Sequence, residues 1–194
     1  MSGVFFLPGK IFGEQIRTPW QGEGPFYPEN IPEDSDNNLL KNGDSKVDAD
    51  GKILNISGIL VDVFNKPLKE VIVEIWQTDS NGIYLHSYSF GAKIRDKKFQ
   101  GFGKAITDKK GQFFFRTIIP SSYPGRTPHI HLRLLRNNLN ILTTQLYFHG
   151  NPLNEKDFLF RSLNLNEQRL NSLKLAPEIK KNVIEYNTSV ILIV

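Results

Sequence analysis

His129 and His131, in Pro128-His-Ile-His-Leu132, stand one residue apart in a stretch without a carboxylate. No Asp or Glu falls between Asp108 and Glu155, and the chain of 194 residues has no Cys. Side chains alternate along a β-strand, so an H-x-H pair aims both imidazoles at one face, as two ligands of one metal ion require. The usual local partners of such a pair, a carboxylate or a thiolate, are missing. Phenols are present instead: Tyr123 lies six residues upstream, and Tyr84 ends an earlier strand region. A metal held here would take tyrosinates as its anionic ligands.

That narrows the chemistry. A phenol has a pKa near 10, so its ionisation near neutrality needs a hard, highly charged cation, and ferric iron is one. Two phenolates and two imidazoles leave Fe(III) with a net charge of +1 and coordination positions open for a catecholate. Arg126, tied to the histidines by Thr127-Pro128, must lie near them and could stabilise negative charge on a bound substrate. Gln145 sits on an apolar strand, Thr143-Thr-Gln-Leu-Tyr-Phe148, where a buried amide needs a partner; Arg126 or the substrate region could supply it. Other readings compete. A cupin-like site needs a carboxylate soon after H-x-H, and Leu132–Arg136 offers none. A three-histidine zinc site could recruit His149 or His86, though His149 reads as a loop residue beside Gly150 and His86 as peripheral. Tyr84 and Tyr123 could simply pack their rings and bond their hydroxyls to backbone. Trp76-Gln77 reads as core packing.

The elements that must position these groups are short and β-branched. Ile53–Phe64 and Val71–Gln77 flank the turn Asn65-Lys-Pro67, and Lys104–Thr107 and Gln112–Ile119 flank Asp108-Lys-Lys-Gly111, which reads as a hairpin loop. His129–Leu135 and Ile141–Phe148 form another pair, and Ser189–Val194 is a final strand. Helical spacing occurs only within Glu155–Asn182, where one or two short helical turns are expected. This is the pattern of an all-β protein, a β-sandwich of two sheets with an extended N-terminal arm and long loops. Residues 1–194 read as one domain, with 1–50 mostly arm and loops and Asp36–Gly51 a mobile loop.

Composition excludes several classes. The absence of Cys removes disulfides, zinc ribbons and cysteine nucleophiles. The net charge of +4 comes from scattered Lys and Arg rather than a stripe, so no nucleic-acid partner is expected. No apolar run reaches the roughly 18 residues of a membrane span. Gly3–Leu7 is shorter than the roughly 7–15 apolar residues of a signal-peptide core, and a cytoplasmic location is expected.

The chain resembles the intradiol ring-cleaving dioxygenases, with the protocatechuate 3,4-dioxygenase branch the nearest in pattern. The likeness runs from about Thr18 to Phe160. It rests on Thr18-Pro-Trp-Gln-Gly-Glu-Gly-Pro-Phe-Tyr-Pro28, Val73-Glu-Ile-Trp-Gln-Thr-Asp-Ser-Asn-Gly-Ile-Tyr84, Thr107-Asp-Lys-Lys-Gly-Gln-Phe-Phe-Phe-Arg-Thr-Ile118, Tyr123-Pro-Gly-Arg-Thr-Pro-His-Ile-His131 and Leu142-Thr-Thr-Gln-Leu-Tyr-Phe148. The resemblance implies a non-haem Fe(III) bound by Tyr84, Tyr123, His129 and His131. It implies a small aromatic diol and O2 as substrates, protocatechuate-type in this branch, and a cis,cis-muconate as product. Arg126 would stabilise the activated ring, Gln145 would orient Arg126, Tyr123 would give way to substrate, and Tyr27 would line the pocket mouth. Self-association into a homo-oligomer is compatible with it.

Two departures matter. Only Pro124 and Gly125 separate Tyr123 from Arg126, where well-studied members carry a longer insertion. The helical N-terminal dimerisation segment of the catechol branch is missing, and all four ligand positions are kept, as in the competent subunit of two-subunit protocatechuate enzymes. The opposing reading is a non-catalytic transthyretin-like or adhesin-type β-sandwich binding module, suggested by Gly58–Pro67 followed by Thr107–Phe113. Such a module gives no reason to keep Tyr84, Tyr123, Arg126, His129 and His131 together. Zinc bound by His129, His131 and His149 leaves both tyrosines unexplained.

Overall fold

Alternation sorts the strands into two layers. In the computed structural model, which describes residues 15–43, 45 and 47–194, strand β1 (Ile53–Val61) turns Leu54, Ile56 and Leu60 inward. Strands β2 (Ile72–Trp76), β3 (Phe102–Ile106), β4 (Gln112–Ile118), β5 (His129–Arg136) and β6 (Leu139–Phe148) follow. After two short helices, α1 (Phe158–Arg161) and α2 (Leu165–Leu170), come β7 (Ser172–Leu173), β8 (Ala176–Lys180) and β9 (Val183–Ile193). One sheet runs β4-β1-β9-β8 and the other β3-β2-β5-β6-β7. Their facing side chains, among them Ile56, Phe115, Val73, Leu132 and Leu146, make the core. Each fully buried aliphatic contributes about 1.5–3 kcal/mol relative to an exposed one. Among the described residues no helix is long and apolar enough to cross a membrane.

Several local expectations are corrected. Asp108–Gly111 does not close a hairpin within one sheet: β3 pairs with β2 and β4 with β1, so this turn crosses between the layers. It docks on β1, where the Leu60 amide donates to the Gly111 carbonyl. Gly111 takes φ of 73°, and a Cβ there would stand 2.3 Å from the Leu60 carbonyl oxygen. Asn65–Pro67 likewise joins strands of different sheets. The final strand begins at Val183, because β8 folds back on it through Lys181 and Asn182, both at positive φ. The polar segment Asp36–Gly51 is pinned at its apolar pair: Leu39 and Leu40 are buried, and Leu39 is bound to the Arg116 carbonyl. Of the expected arm, residues 1–14 lie outside the described residues. The described residues from 15 to 52 run without helix or strand beyond one bridge at Asn38.

What positions the site is the outer face of the five-stranded sheet. Ile130, Leu132 and Leu134 of β5 point into the core, so His129, His131 and Arg133 point away from it. Pairing sets Trp76, His131 and Gln145 side by side, with His129 beside Tyr147 and Glu74 beside Arg133. The arm lies over this face: the Gln21 amide donates to the Thr143 carbonyl, and Gln145 Nε2 donates to the Gly22 carbonyl.

Candidate metal centre

His129 Nε2 and His131 Nε2 stand 3.2 Å apart, and Tyr84 Oη lies 3.0 Å from each. His129 Nδ1 is 2.7 Å from the Thr127 carbonyl, which can only accept, so the ring proton sits on Nδ1 and Nε2 presents a lone pair. His131 is buried and its Nδ1 has no hydrogen-bond partner. The phenol has one proton and can satisfy one of the two imidazoles it faces. A cation seated just above the plane of the triangle would satisfy all three atoms. The spacing fits that use: neighbouring ligands at right angles on bonds of about 2.1 Å are about 3.0 Å apart. Among the described residues no group of three or more His, Cys, Asp or Glu could hold a metal ion, so an ion here must take phenol oxygen. His149 is exposed, which leaves the three-histidine zinc reading without its third ligand. His86 is half-buried and meets Phe26 edge-on at 5.8 Å.

Tyr123 joins from a second loop. Its ring centroid is 5.5 Å from that of Tyr84 and 5.7 Å from that of His129. The Tyr84 loop is held by Asp79, whose carboxylate accepts from the amides of Asn81, Ile83 and Asp96, and by Ser89 Oγ, which accepts from the Tyr84 amide. The two loops are pressed together at Gly82, where φ is +80° and a Cβ would come within 2.5 Å of the Ser122 carbonyl oxygen. Ser121 bridges them again, its carbonyl accepting from Thr78 and its hydroxyl donating to the Ser80 carbonyl.

Arg126 is held on three sides. Nε donates to Asp157 at 2.8 Å, Nη2 to Gln145 Oε1 at 2.6 Å, and Nη1 to the Tyr123 hydroxyl at 3.3 Å. The partner expected for the buried Gln145 amide is therefore this guanidinium. Asp157 also accepts from the Thr127 amide and caps α1 through the Leu159 and Phe160 amides. Sequence reading missed Asp157, although an Asp directly before Phe-Leu-Phe-Arg is a recognisable helix N-cap. It also missed the role of Trp76, which is buried as expected but lies flat on His131, 4.8 Å between centroids and 9° between planes.

Tyr27 does not take the place expected at a pocket mouth. Its ring meets Trp76 edge-on, and its hydroxyl joins Glu74 and Arg133, with Arg133 also over the ring. Tyr27 thus braces Trp76 from behind. Its neighbour Phe26 is the aromatic that faces the cluster, stacked on Tyr84 at 4.8 Å and edge-on to Tyr123.

Burial and charge set the protonation states. Burial, reinforced by the Tyr123 phenol, pushes Tyr84 well above its usual 10. Burial and then the Arg126 cation pull His129 down to about 4, and burial followed by His129 holds His131 well below its ordinary value. Burial also raises Tyr147, whose hydroxyl lies between Gln21 and Gln145. Burial would lower the Arg126 pKa, but the Asp157 bond and the neighbouring phenol outweigh it and the net shift is upward. Burial would raise Asp157, yet the Phe160 and Thr127 amides and Arg126 hold it low. The protein thus presents neutral imidazoles and the neutral Tyr84 phenol beside one fixed cation. Only a strong positive charge at the triangle would draw the phenol proton off.

Comparison with known proteins points the same way. Residues 22–192 match the Dioxygenase_C family model, described as dioxygenase. The protocatechuate 3,4-dioxygenase beta chain of Burkholderia cepacia is 34% identical over 134 residues, covering 65% of this chain and 57% of that protein. Catechol 1,2-dioxygenase of Acinetobacter baylyi is 30% identical over 166 residues, covering 76% of this chain and 51% of that protein. The chain therefore spans little more than half the length of these curated relatives. An intradiol ring-cleavage dioxygenase structure from Tetranychus urticae superposes with a TM-score of 0.71 at 27% identity, covering 91% of this chain and 93% of that one.

Proposed function

We infer the activity from one premise, that this chain belongs to the intradiol ring-cleaving dioxygenase family, and propose that it opens the ring of a catecholic diol with O2. The C–C bond between the two hydroxylated carbons breaks, and both atoms of O2 enter a cis,cis-muconate. The observation that carries this reading is the triangle of Tyr84 Oη, His129 Nε2 and His131 Nε2, with mutual distances of 3.0–3.2 Å. Those atoms and the Tyr123 phenol would hold Fe(III). The ion would supply the Lewis acidity that draws a catecholate in and the redox capacity that lets it react with O2.

The remaining roles fall to the protein. Tyr123 touches the opening beside Arg126, so its phenolate, ionised when the ion is held, would be the base placed to take a hydroxyl proton from an arriving diol. Arg126 keeps its charge and would face the negative charge that builds on the ring; Gln145 and Asp157 fix its plane. Trp76 and Tyr147 cover the imidazoles, and Phe26 covers Tyr84. Within the family we propose a carboxylated, protocatechuate-type diol. The binding-module reading assigns no task to these groups.

Oxygen uptake tests the proposal directly. Iron-loaded protein should be red-brown from tyrosinate-to-Fe(III) charge transfer and should consume one O2 per diol, with muconate appearing in the ultraviolet. Colourless iron-bound protein, or coloured protein that consumes no O2 with catechol, protocatechuate or hydroxyquinol, would refute it.

A further inference from the structure

Beside the phenol–imidazole cluster opens a cavity of about 450 Å³, walled by Tyr123, Pro124, Arg126, Leu153, Lys156 and Asp157 among others. That exceeds the needs of a bare benzenediol and lies within the usual range of small-molecule sites, about 300–1,000 Å³. Tyr123 and Arg126 bring the proposed chemistry into its wall. Lys156, the last residue of the 3-10 turn Pro152–Lys156, stands in the same wall.

The charges in this wall are unequal. The Arg126 cation is met by Asp157 at 2.8 Å. Lys156 forms no ion pair among the described residues. The cavity therefore carries one uncompensated positive charge, set among apolar Leu153 and Pro124. The two-residue link Pro124-Gly125 leaves that side of Tyr123 uncovered, with Gly125 at φ of +81° and open space around it.

We propose that Lys156 binds an anionic substituent of the substrate, a ring carboxylate on the side away from the two hydroxyls, and so selects acidic diols over neutral ones. This rests on the ring-cleavage reading above. The diol end meets Tyr123 and Arg126 while the acid end meets the ammonium. Leu153 and Pro124 contact the ring between them. Arg126 is committed to Asp157, Gln145 and Tyr123, so Lys156 is the cation left for the acid.

The test compares 3,4-dihydroxybenzoate with its uncharged isostere 3,4-dihydroxybenzamide. In Lys156→Gln the KM ratio of acid to amide should rise about two- to fivefold, the size of one exposed charge pair. Lys156→Glu should raise it further, and added salt should raise the acid's KM in the unmodified enzyme only. Equal KM changes for acid and amide, or no change, would overturn the assignment. A second readout needs no turnover: metal-free protein should bind 4-hydroxybenzoate more tightly than 4-hydroxybenzamide by ligand-observed NMR, and Lys156→Gln should abolish the difference. If that preference holds while no diol is cleaved, the subsite stands and the ring-cleavage reading falls. If neither preference nor cleavage is seen, both fall.

Discussion

The pair Arg126–Asp157 offers the sharpest quantitative test of how the site is built. Both side chains are nearly closed off, at 9% and 0% exposure. At 2.8 Å the attraction is about 6 kcal/mol for an effective dielectric of 20, and dehydration of both ions offsets much of it. Asp157→Asn keeps the shape and an oxygen acceptor, so the α1 cap survives in part, at a cost of about 1 kcal/mol. The larger cost is an unpaired guanidinium. Breaking a buried pair from one side costs about 3–5 kcal/mol, and the retained amide oxygen lowers that to about 2–3. For a chain of this length that is a fall in Tm of about 5–12 °C.

Thermal unfolding of Asp157→Asn, Arg126→Gln and the double variant isolates the pair. With Gln at 126 there is no buried cation to compensate, so the second substitution should cost far less than it does alone. The expected coupling is about 2 kcal/mol. Losses that add to within about 0.5 kcal/mol would show that the two side chains do not act as one unit, and the placement of Arg126 by Asp157 would be wrong.

Tyr84→Phe should fold, since the ring and its stack on Phe26 remain, yet lose the visible band or the turnover; full iron content with normal turnover would remove Tyr84 from the ligand set. Iron loading should raise Tm by about 5–10 °C when free iron stands near a hundred times its Kd, through mass action, and an unchanged Tm would argue that iron does not bind the native state. Glu185, held down to about 2 by hydrogen bonds from Arg116, should contribute stability that is complete above its ordinary 4.5 and lost as pH falls from there toward 2. Arg116 is about a third exposed, so the expected loss is about 1–2 kcal/mol. Glu185→Gln should flatten acid unfolding in that window; an unaltered profile would contradict the assignment.

What the sequence made legible follows from periodicity, and what it hid follows from pairing. Period 2 alone aims His129 and His131 at one face, and the apolar run around Gln145 demands a partner for its amide. Period 2 says nothing of which strands meet. Asp108–Gly111 has the residues of a hairpin loop, and the same residues serve equally at a corner between sheets; only the match of β3 to β2 and β4 to β1 decides. The stack of Trp76 on His131 depends on that cross-strand register, so the indole looks like plain core until β2 is set beside β5. Phe26 and Tyr27 are adjacent, and which of them faces the phenols turns on the path of an arm with no periodicity to read.

The choice of phenol over carboxylate has a physical consequence for the ion such a site would accept. Two buried carboxylates against neutral imidazoles would either ionise at a large desolvation cost or bind stray divalent ions. The Tyr84 phenol stays neutral in that setting: burial drives it further from ionisation, and the imidazoles are driven from protonation by the same cause. The triangle of Tyr84, His129 and His131 itself holds no ionised side chain; the charged Arg126–Asp157 pair and the Asp79 carboxylate stand around it, and Asp79, Ser89, Trp76 and the Gly82 contact hold the loops that carry it. On the proposed reading, a trivalent ion at the triangle would carry enough charge to displace the Tyr84 proton, and a weaker cation would carry too little. Selectivity for a hard, highly charged ion would then follow from the burial that raises the Tyr84 phenol, the same burial that holds the sheet and its covering loops together.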